Sequence, residues 1–196
     1  MLDYLETAEE MYNYCKNNKF GTGSNKKWAI RHFQLLIDNL KPDEKIYCVF
    51  IGLHNYKSLS RHDDNFAYAL TDKRILMAQH KLHSTSIESV NIENINDISM
   101  SKKGVGGMGL GTVCIDTIKE TVTVGVNIAE AGNIYEKVHE AWDMVREQKA
   151  NNQSVQINVQ NEKSPAEQIK EFKELLDLGI ITEEEFEAKK KQFLGL

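Results

Sequence analysis

The stretch Phe66-Ala-Tyr-Ala-Leu-Thr-Asp-Lys-Arg-Ile-Leu-Met-Ala78 decides how the chain is read. Two apolar runs, 66–70 and 74–78, flank the tight polar turn Thr71-Asp-Lys73, which is the pattern of a β-hairpin. Upstream, Ile46-Tyr-Cys-Val-Phe-Ile-Gly-Leu53 is almost continuously apolar and rich in β-branched and aromatic residues, as expected of a strand covered on both faces. Downstream, strands are expected over 85–92, 95–101, 112–117 and 120–126. Short strands in succession, separated by polar or glycine turns with no helix between them, indicate an antiparallel sandwich or barrel.

A long helix follows the strands. Asn127 and Glu130 are placed as a cap and its reciprocal partner, and Ala131, Ile134, Val138, Ala141, Trp142 and Val145 form an apolar stripe wide enough to lie across an open barrel end. The chain also opens with helices. Leu2, Leu5, Ala8, Met11, Tyr12 and Cys15 recur at helical spacing until Gly21-Thr-Gly-Ser interrupts them. A second helix is expected from Asn25, with Trp28, Phe33, Leu36, Ile37 and Leu40 facing inward, and Lys41-Pro42-Asp43 ends it. The expected fold class is α+β: a seven-stranded antiparallel barrel or sandwich capped by a C-terminal helix, with N-terminal helices and a C-terminal helical hairpin.

Three runs resemble a known family: Leu40-Lys-Pro-Asp-Glu-Lys-Ile46, Ala69-Leu-Thr-Asp-Lys-Arg-Ile-Leu-Met-Ala78 and Ile95-Asn-Asp-Ile-Ser-Met-Ser-Lys-Lys-Gly104. Over residues 41–148 the chain resembles the bacterial pleckstrin-homology-like (PH-like) family, especially its YokE-like branch. Seven antiparallel strands followed by one helix is the element order of that architecture. The shared motifs are structural ones, so the resemblance implies a fold and a binding module, not a reaction.

The end of the chain spells two short helices. Ser164-Pro-Ala-Glu167 is a capping box with proline at the first helical position, and Ile169, Phe172, Leu175 and Leu176 follow at helical spacing. Gly179 ends the first helix; Thr182-Glu-Glu-Glu185 caps the second, with Ile181 and Phe186 placed as a hydrophobic staple. The second helix carries acids in its first turn and Lys189-Lys-Lys191 toward its end, and its apolar side is thin: Phe186, Ala188, Phe193 and Leu194. A hairpin of this size cannot enclose a stable core without a disulfide, a metal or a partner. Ile169, Phe172, Leu175, Leu176, Phe186 and Phe193 are therefore expected to face a partner. From Ala166 to Leu194 the segment resembles the short C-terminal domain known as SHOCT, and that resemblance implies oligomerisation or docking.

Four regions result: a helical segment over 1–40, the PH-like domain over 41–148, a linker over 149–163 and the hairpin over 164–196. The linker is dominated by Asn and Gln and is expected to be flexible; Val155, Ile157 and Val159 alternate with polar residues, a pattern suited to adding a strand to a sheet edge.

Composition and motifs exclude several function classes. A formal charge of −5 with no basic patch argues against nucleic acid as a partner. The same balance disfavours a membrane surface, which stays as the alternative through the loop His54–His62, where Lys57 and Arg61 could hold an anionic headgroup. Asp63-Asp64 follow that loop directly. Gly104, Gly106 and Gly109 give a G-x-G-x-x-G pattern, but a strand and not a helix follows, so a hairpin loop is expected and no dinucleotide cofactor. Cys15, Cys48 and Cys114 are far apart and read as buried reduced thiols; His80 and His83 lack further ligands, so no metal is expected. No nucleophile elbow or located carboxylate pair points to catalysis. The acidic start and the lack of a long apolar run give a cytoplasmic expectation. The expected function is a non-enzymatic intracellular adaptor, a PH-like module presenting a ligand or protein surface and a hairpin that joins copies or docks a protein partner.

Overall fold

In the computed structural model, residues 4–105, 108–161 and 165–194 are described, with the backbone alone for 103–105, 108–109 and 152–161. The chain divides into two compact units, 1–147 and 148–196.

The first unit is built on one seven-stranded antiparallel sheet, β1 (Ile46–His54), β2 (Asn65–Thr71), β3 (Arg74–His80), β4 (Thr85–Asn91), β5 (Ile95–Val105), β6 (Met108–Thr117) and β7 (Thr121–Asn127). Its spatial order is β4-β3-β2-β1-β7-β6-β5, so β1 joins two halves. The junction is short: Leu53 pairs with Gly125 and His54 with Val124. The sheet curls into a half-barrel of the PH-like kind. All seven expected strands are present, with β5 and β6 each reaching four residues further toward the turn between them than expected.

The Thr71-Asp-Lys73 turn and the Lys41-Pro-Asp-Glu44 entry segment prove to be parts of one buried latch. Arg74 donates from Nε to Glu44 Oε1 (2.9 Å) and from Nη2 to Oε2 (3.0 Å). Arg74 Nη2 also reaches the Asn39 carbonyl (2.7 Å), the end of the second helix. Thr71 Oγ1 donates to Glu44 Oε1 (2.8 Å), the Lys41 N–H donates to Glu44 Oε2 (2.7 Å), and Lys73 Nζ donates to the Pro42 carbonyl (2.7 Å). The Glu44 side chain is fully buried. Burial pushes its carboxyl up, but the Arg74 guanidinium, the Lys41 amide and the Thr71 hydroxyl outweigh burial and hold it below the usual value.

Helices cover the sheet. In α1 (Ala8–Asn17) a capping box forms between Thr7 and Glu10. The sequence pattern places the helix start at Leu2; Leu2 lies outside the described residues, and the Leu5 N–H donates to the Ile46 carbonyl (3.0 Å), tying that segment to β1. In α2 (Lys26–Asp38) the Trp28 N–H donates to Asn25 Oδ1 (2.9 Å), the cap expected there. Ala29, His32, Phe33 and Leu36 are buried, and α2 packs on β2 and β3. The His80 N–H donates to His32 Nε2 (3.2 Å), a polar tie that an apolar stripe does not reveal.

The helix after the sheet is α3 (Ala131–Asn161), and the buried stripe is the expected one: Ala131, Ile134, Val138, Ala141, Trp142 and Val145. Its entry needs Gly111, where a Cβ would sit 2.4 Å from the Ala131 Cβ. Asn127 Oδ1 accepts from the Ala129 N–H (2.9 Å), but Glu130 does not reciprocate. Its carboxylate lies against Gly21 and accepts the Gly21 N–H, and burial raises its pKa.

Two expectations are corrected by the backbone. The helix continues to Asn161 through the described part of the segment expected as a flexible linker, including 155–159, where a strand was considered, while 162 and 163 lie outside the described residues; no glycine or proline stands between Gly132 and Pro165 in the sequence. The glycine-rich segment is not a long loop. The β5–β6 ladder continues through Gly104 paired with Gly109 and Val105 with Met108, while Gly106 and Gly107 lie outside the described residues.

In the second unit, α4 (Pro165–Asp177) and α5 (Glu183–Leu194) make the hairpin. Gly179 has φ +70°, its N–H donates to the Leu176 carbonyl (2.9 Å), and the Ile180 N–H donates to that of Leu175 (3.0 Å), the paired bonds of a Schellman stop. Thr182 and Glu185 cap each other reciprocally. The expected Ser164 cap falls outside the described residues.

Two outcomes follow for the first unit. Replacing Glu44 with Leu strands a buried guanidinium and should cost about 3–5 kcal/mol in chemical unfolding, whereas Glu44→Leu with Arg74→Met should cost clearly less. Because the folded Glu44 pKa lies below the unfolded one, its contribution is present above the ordinary carboxylate range and is lost as pH falls through the folded value. The wild type should therefore lose stability on acidification below about pH 4.5, and the double variant should lose less over the same range.

Candidate functional site

The β1–β2 loop has a fixed shape. His54 and Asp63 close its base, the Asp63 N–H donating to the His54 carbonyl (2.8 Å) and the His54 N–H to that of Asp64 (2.9 Å). The tip folds back on itself, with the Lys57 N–H bonded to the Arg61 carbonyl (2.9 Å) and Ser58 bridging Arg61. Tyr56 fastens the loop to β7: its N–H donates to the Thr123 carbonyl (2.9 Å), and Thr123 Oγ1 donates to the Tyr56 carbonyl (3.0 Å). The Tyr56 ring lies on Gly125, where a Cβ would come within 2.6 Å of it. No other residue allows that approach.

Between this loop and the β6–β7 turn lies an open recess of about 650 Å³. Lys57 and Arg61 line it together, as do Tyr56, Ser60, His62 and Thr121. Asp63 and Glu120 also line it, so its charge is mixed. Asp63 accepts from Asn55 Nδ2 (2.8 Å) within the recess lining, and Asp64 pairs with Lys81 (3.0 Å). The side chains of Lys57 and Arg61 make no hydrogen bond or ion pair among the described residues. Leu59 at the loop tip is 75 % exposed and Ile118 in the neighbouring turn 68 %.

His54 is not a loop residue. It is buried at the end of β1, its Nδ1 is 2.8 Å from Tyr68 Oη, its Nε2 is 3.4 Å from Glu88 Oε2, and its ring stacks on Phe66. Cys15 and Cys48 are buried and Cys114 is half-buried. Burial pushes the Cys15 and Cys48 thiols up, Cys48 to about 12, which keeps them protonated and unreactive. Among the described residues no group of three or more His, Cys, Asp or Glu side chains could hold a metal ion, and no helix is long and apolar enough to cross a membrane.

In the hairpin, the expected face comes together in part. Phe172 and Phe193 meet edge to face with centroids 5.4 Å apart, and Phe186 is buried beneath Lys173 and Lys190. Ile169, Leu175 and Leu176 stay half-buried. No residue of α4 is fully buried, and Leu178 and Ile180 are 73 % and 65 % exposed. Beside the Phe172 ring lies a groove of about 350 Å³, lined also by Ile181 and Ala188, with Glu185, Lys189 and Gln192 along it. Ala188, expected on the apolar side of α5, lines this groove, a placement that becomes visible only in three dimensions.

Comparison with known proteins agrees with this anatomy. A family model described as a short C-terminal domain matches residues 167–194. No curated protein matches the sequence. Among solved structures, the hSac2 domain from human phosphoinositide phosphatase Sac2 is similar at 13 % identity and a TM-score of 0.41, over 59 % of this chain and 81 % of that one. Both modules of the chain are of non-catalytic types. The model of the bacterial PH domain matches residues 40–147, more than half of the sequence, and the chain belongs to that family.

Proposed function

We propose that the protein is a non-enzymatic intracellular adaptor, in which the PH-like unit presents a binding surface and the C-terminal hairpin joins copies of the chain. The observation that carries this reading is the hairpin itself. Its helix ends are capped at Thr182 and stopped at Gly179, so its conformation is specified, yet Phe186 is its sole fully buried residue among those described. A specified shape with an uncovered apolar side is what an association element needs. Joining weak binding surfaces through such an element raises their combined affinity by effective concentration, with no new contact to the ligand.

A second reading is favoured by one specific feature, the recess lined by Lys57 and Arg61, whose side chains make no hydrogen bond or ion pair among the described residues, in the loop that carries the exposed Leu59. That arrangement suits an anionic headgroup at a membrane surface. The net charge of −5 opposes it at long range, so such binding would be confined to low salt or to high anionic lipid content.

Light scattering separates the main reading from its failure. The core of the first unit ends at Val145, so a chain stopped at Ala150 keeps every buried residue of that unit. The full chain should have at least twice its monomer mass and the shortened chain a monomer's mass; equal masses per chain would remove the association role. For the second reading, full-length protein should co-sediment with phosphatidylserine vesicles at low salt and lose this on Lys57→Ala with Arg61→Ala. Absence of wild-type binding would end that reading.

A further inference from the structure

The charges of α5 form two opposed triplets. Glu183, Glu184 and Glu185 fill the first turn, and Lys189, Lys190 and Lys191 lie toward the end, on either side of Glu187 and Ala188. The hairpin uses these charges incompletely. Glu185 is taken by the Thr182 cap, Lys190 pairs with Glu187 (2.8 Å), and Lys189 donates to Gln192 Oε1 (3.1 Å). Glu183, Glu184 and Lys191 make no hydrogen bond or ion pair among the described residues. Glu184, Ala188 and Lys191 stand at i, i+4 and i+7, which puts an acid, a small residue and a base in line on one face of the helix. Ala188 is exposed and lines the apolar groove beside Phe172.

The geometry points to a second copy of this chain as the partner that covers the Glu184–Ala188–Lys191 face of α5, next to the groove that Ala188 lines, bound about a two-fold axis near Ala188 with the two α5 helices antiparallel. A two-fold operation there carries the first turn of one α5 onto the last turn of the other. Glu184 of each copy then faces Lys191 of its partner, and the Ala188 methyl groups let the helices approach closely. An isologous contact must be self-complementary, and a helix whose charge inverts about its own centre satisfies that condition. A parallel arrangement brings each triplet against its like and is opposed electrostatically. This inference rests on the reading that the hairpin associates, and adds the partner, the symmetry and the charges that set it.

The test uses the full chain in a Cys114→Ser background, since Cys15 and Cys48 are buried. Under mild oxidation Ala188→Cys should form a disulfide-linked dimer. Glu184→Cys and Lys191→Cys should each stay largely unlinked alone and cross-link when mixed. Glu184→Cys and Lys191→Cys each linking to themselves as readily as to one another would mean parallel helices and would overturn the inference. So would an absence of cross-links in any combination from a protein of dimer mass, while leaving the association reading intact; a wild type of monomer mass would overturn both. A second set avoids dependence on disulfide geometry. Lys191→Glu should weaken dimerisation about three- to tenfold, as two exposed ion pairs change sign. Adding Glu184→Lys should restore it, and a double variant weaker still than the single one would contradict the pairing. Unchanged far-ultraviolet circular dichroism of each variant confirms that the fold is retained.

Discussion

A hairpin of 13 and 12 residues cannot turn all of its apolar side chains toward one another. Two helices share one line of contact, and here Phe172 meets Phe193 and Phe186 is buried, while Ile169, Leu175, Leu176 and Ile181 are only half-buried and Ala188 is exposed. Caps and a glycine stop fix the shape of the hairpin, but each is worth only about 1 kcal/mol and none removes apolar surface from water. The hairpin is locally well specified and globally under-supplied with core. We propose that contact with another copy of the chain meets that constraint, the inverted charge of α5 suiting such a partner.

The PH-like unit solves the opposite problem. Its core is ample, running from Met11 and Phe33 through the strands to Trp142 and Val145. What it must fix is where the entry segment, the second strand pair and the end of α2 meet. The Glu44–Arg74 pair does this with hydrogen bonds that fully occupy a buried carboxylate, and it explains why an entry glutamate and a hairpin arginine, some thirty positions apart, stand out as motifs. At the far end of the half-barrel the buried His54 and Gln79 side chains tie the base of the β1–β2 loop, and the loop itself is shaped by its own backbone bonds and by Tyr56 on Gly125. A stiff base with a solvated rim suits presentation of a surface.

Much of this was legible in the sequence because it depends on local chemistry. Short apolar runs bounded by turn residues placed the seven strands, and the α3 stripe was legible residue by residue from its helical period. Gly179 and the Thr182–Glu185 box were legible because caps involve residues within a few positions of each other. What stayed hidden depends on distant partners. Glu130 has the spacing of a capping residue, but Gly21 is near enough in space to claim it. His54 looks like a loop histidine until Phe66 and Tyr68 close around it. The Asn- and Gln-rich run after residue 149 has the composition of a linker, yet nothing in it breaks a helix that has already been nucleated and packed upstream. The groove at Ala188 needs α4 beside α5 to exist at all.

The central claim is that the hairpin draws its stability from a second copy of the chain, and amide hydrogen exchange of the full-length protein at two concentrations tests it most directly. If the claim holds, amides of residues 165–194 gain protection as the protein concentration rises through its association range, while those of β1, β2 and β3 stay unchanged. Equal protection of the hairpin at high dilution and at high concentration would contradict it.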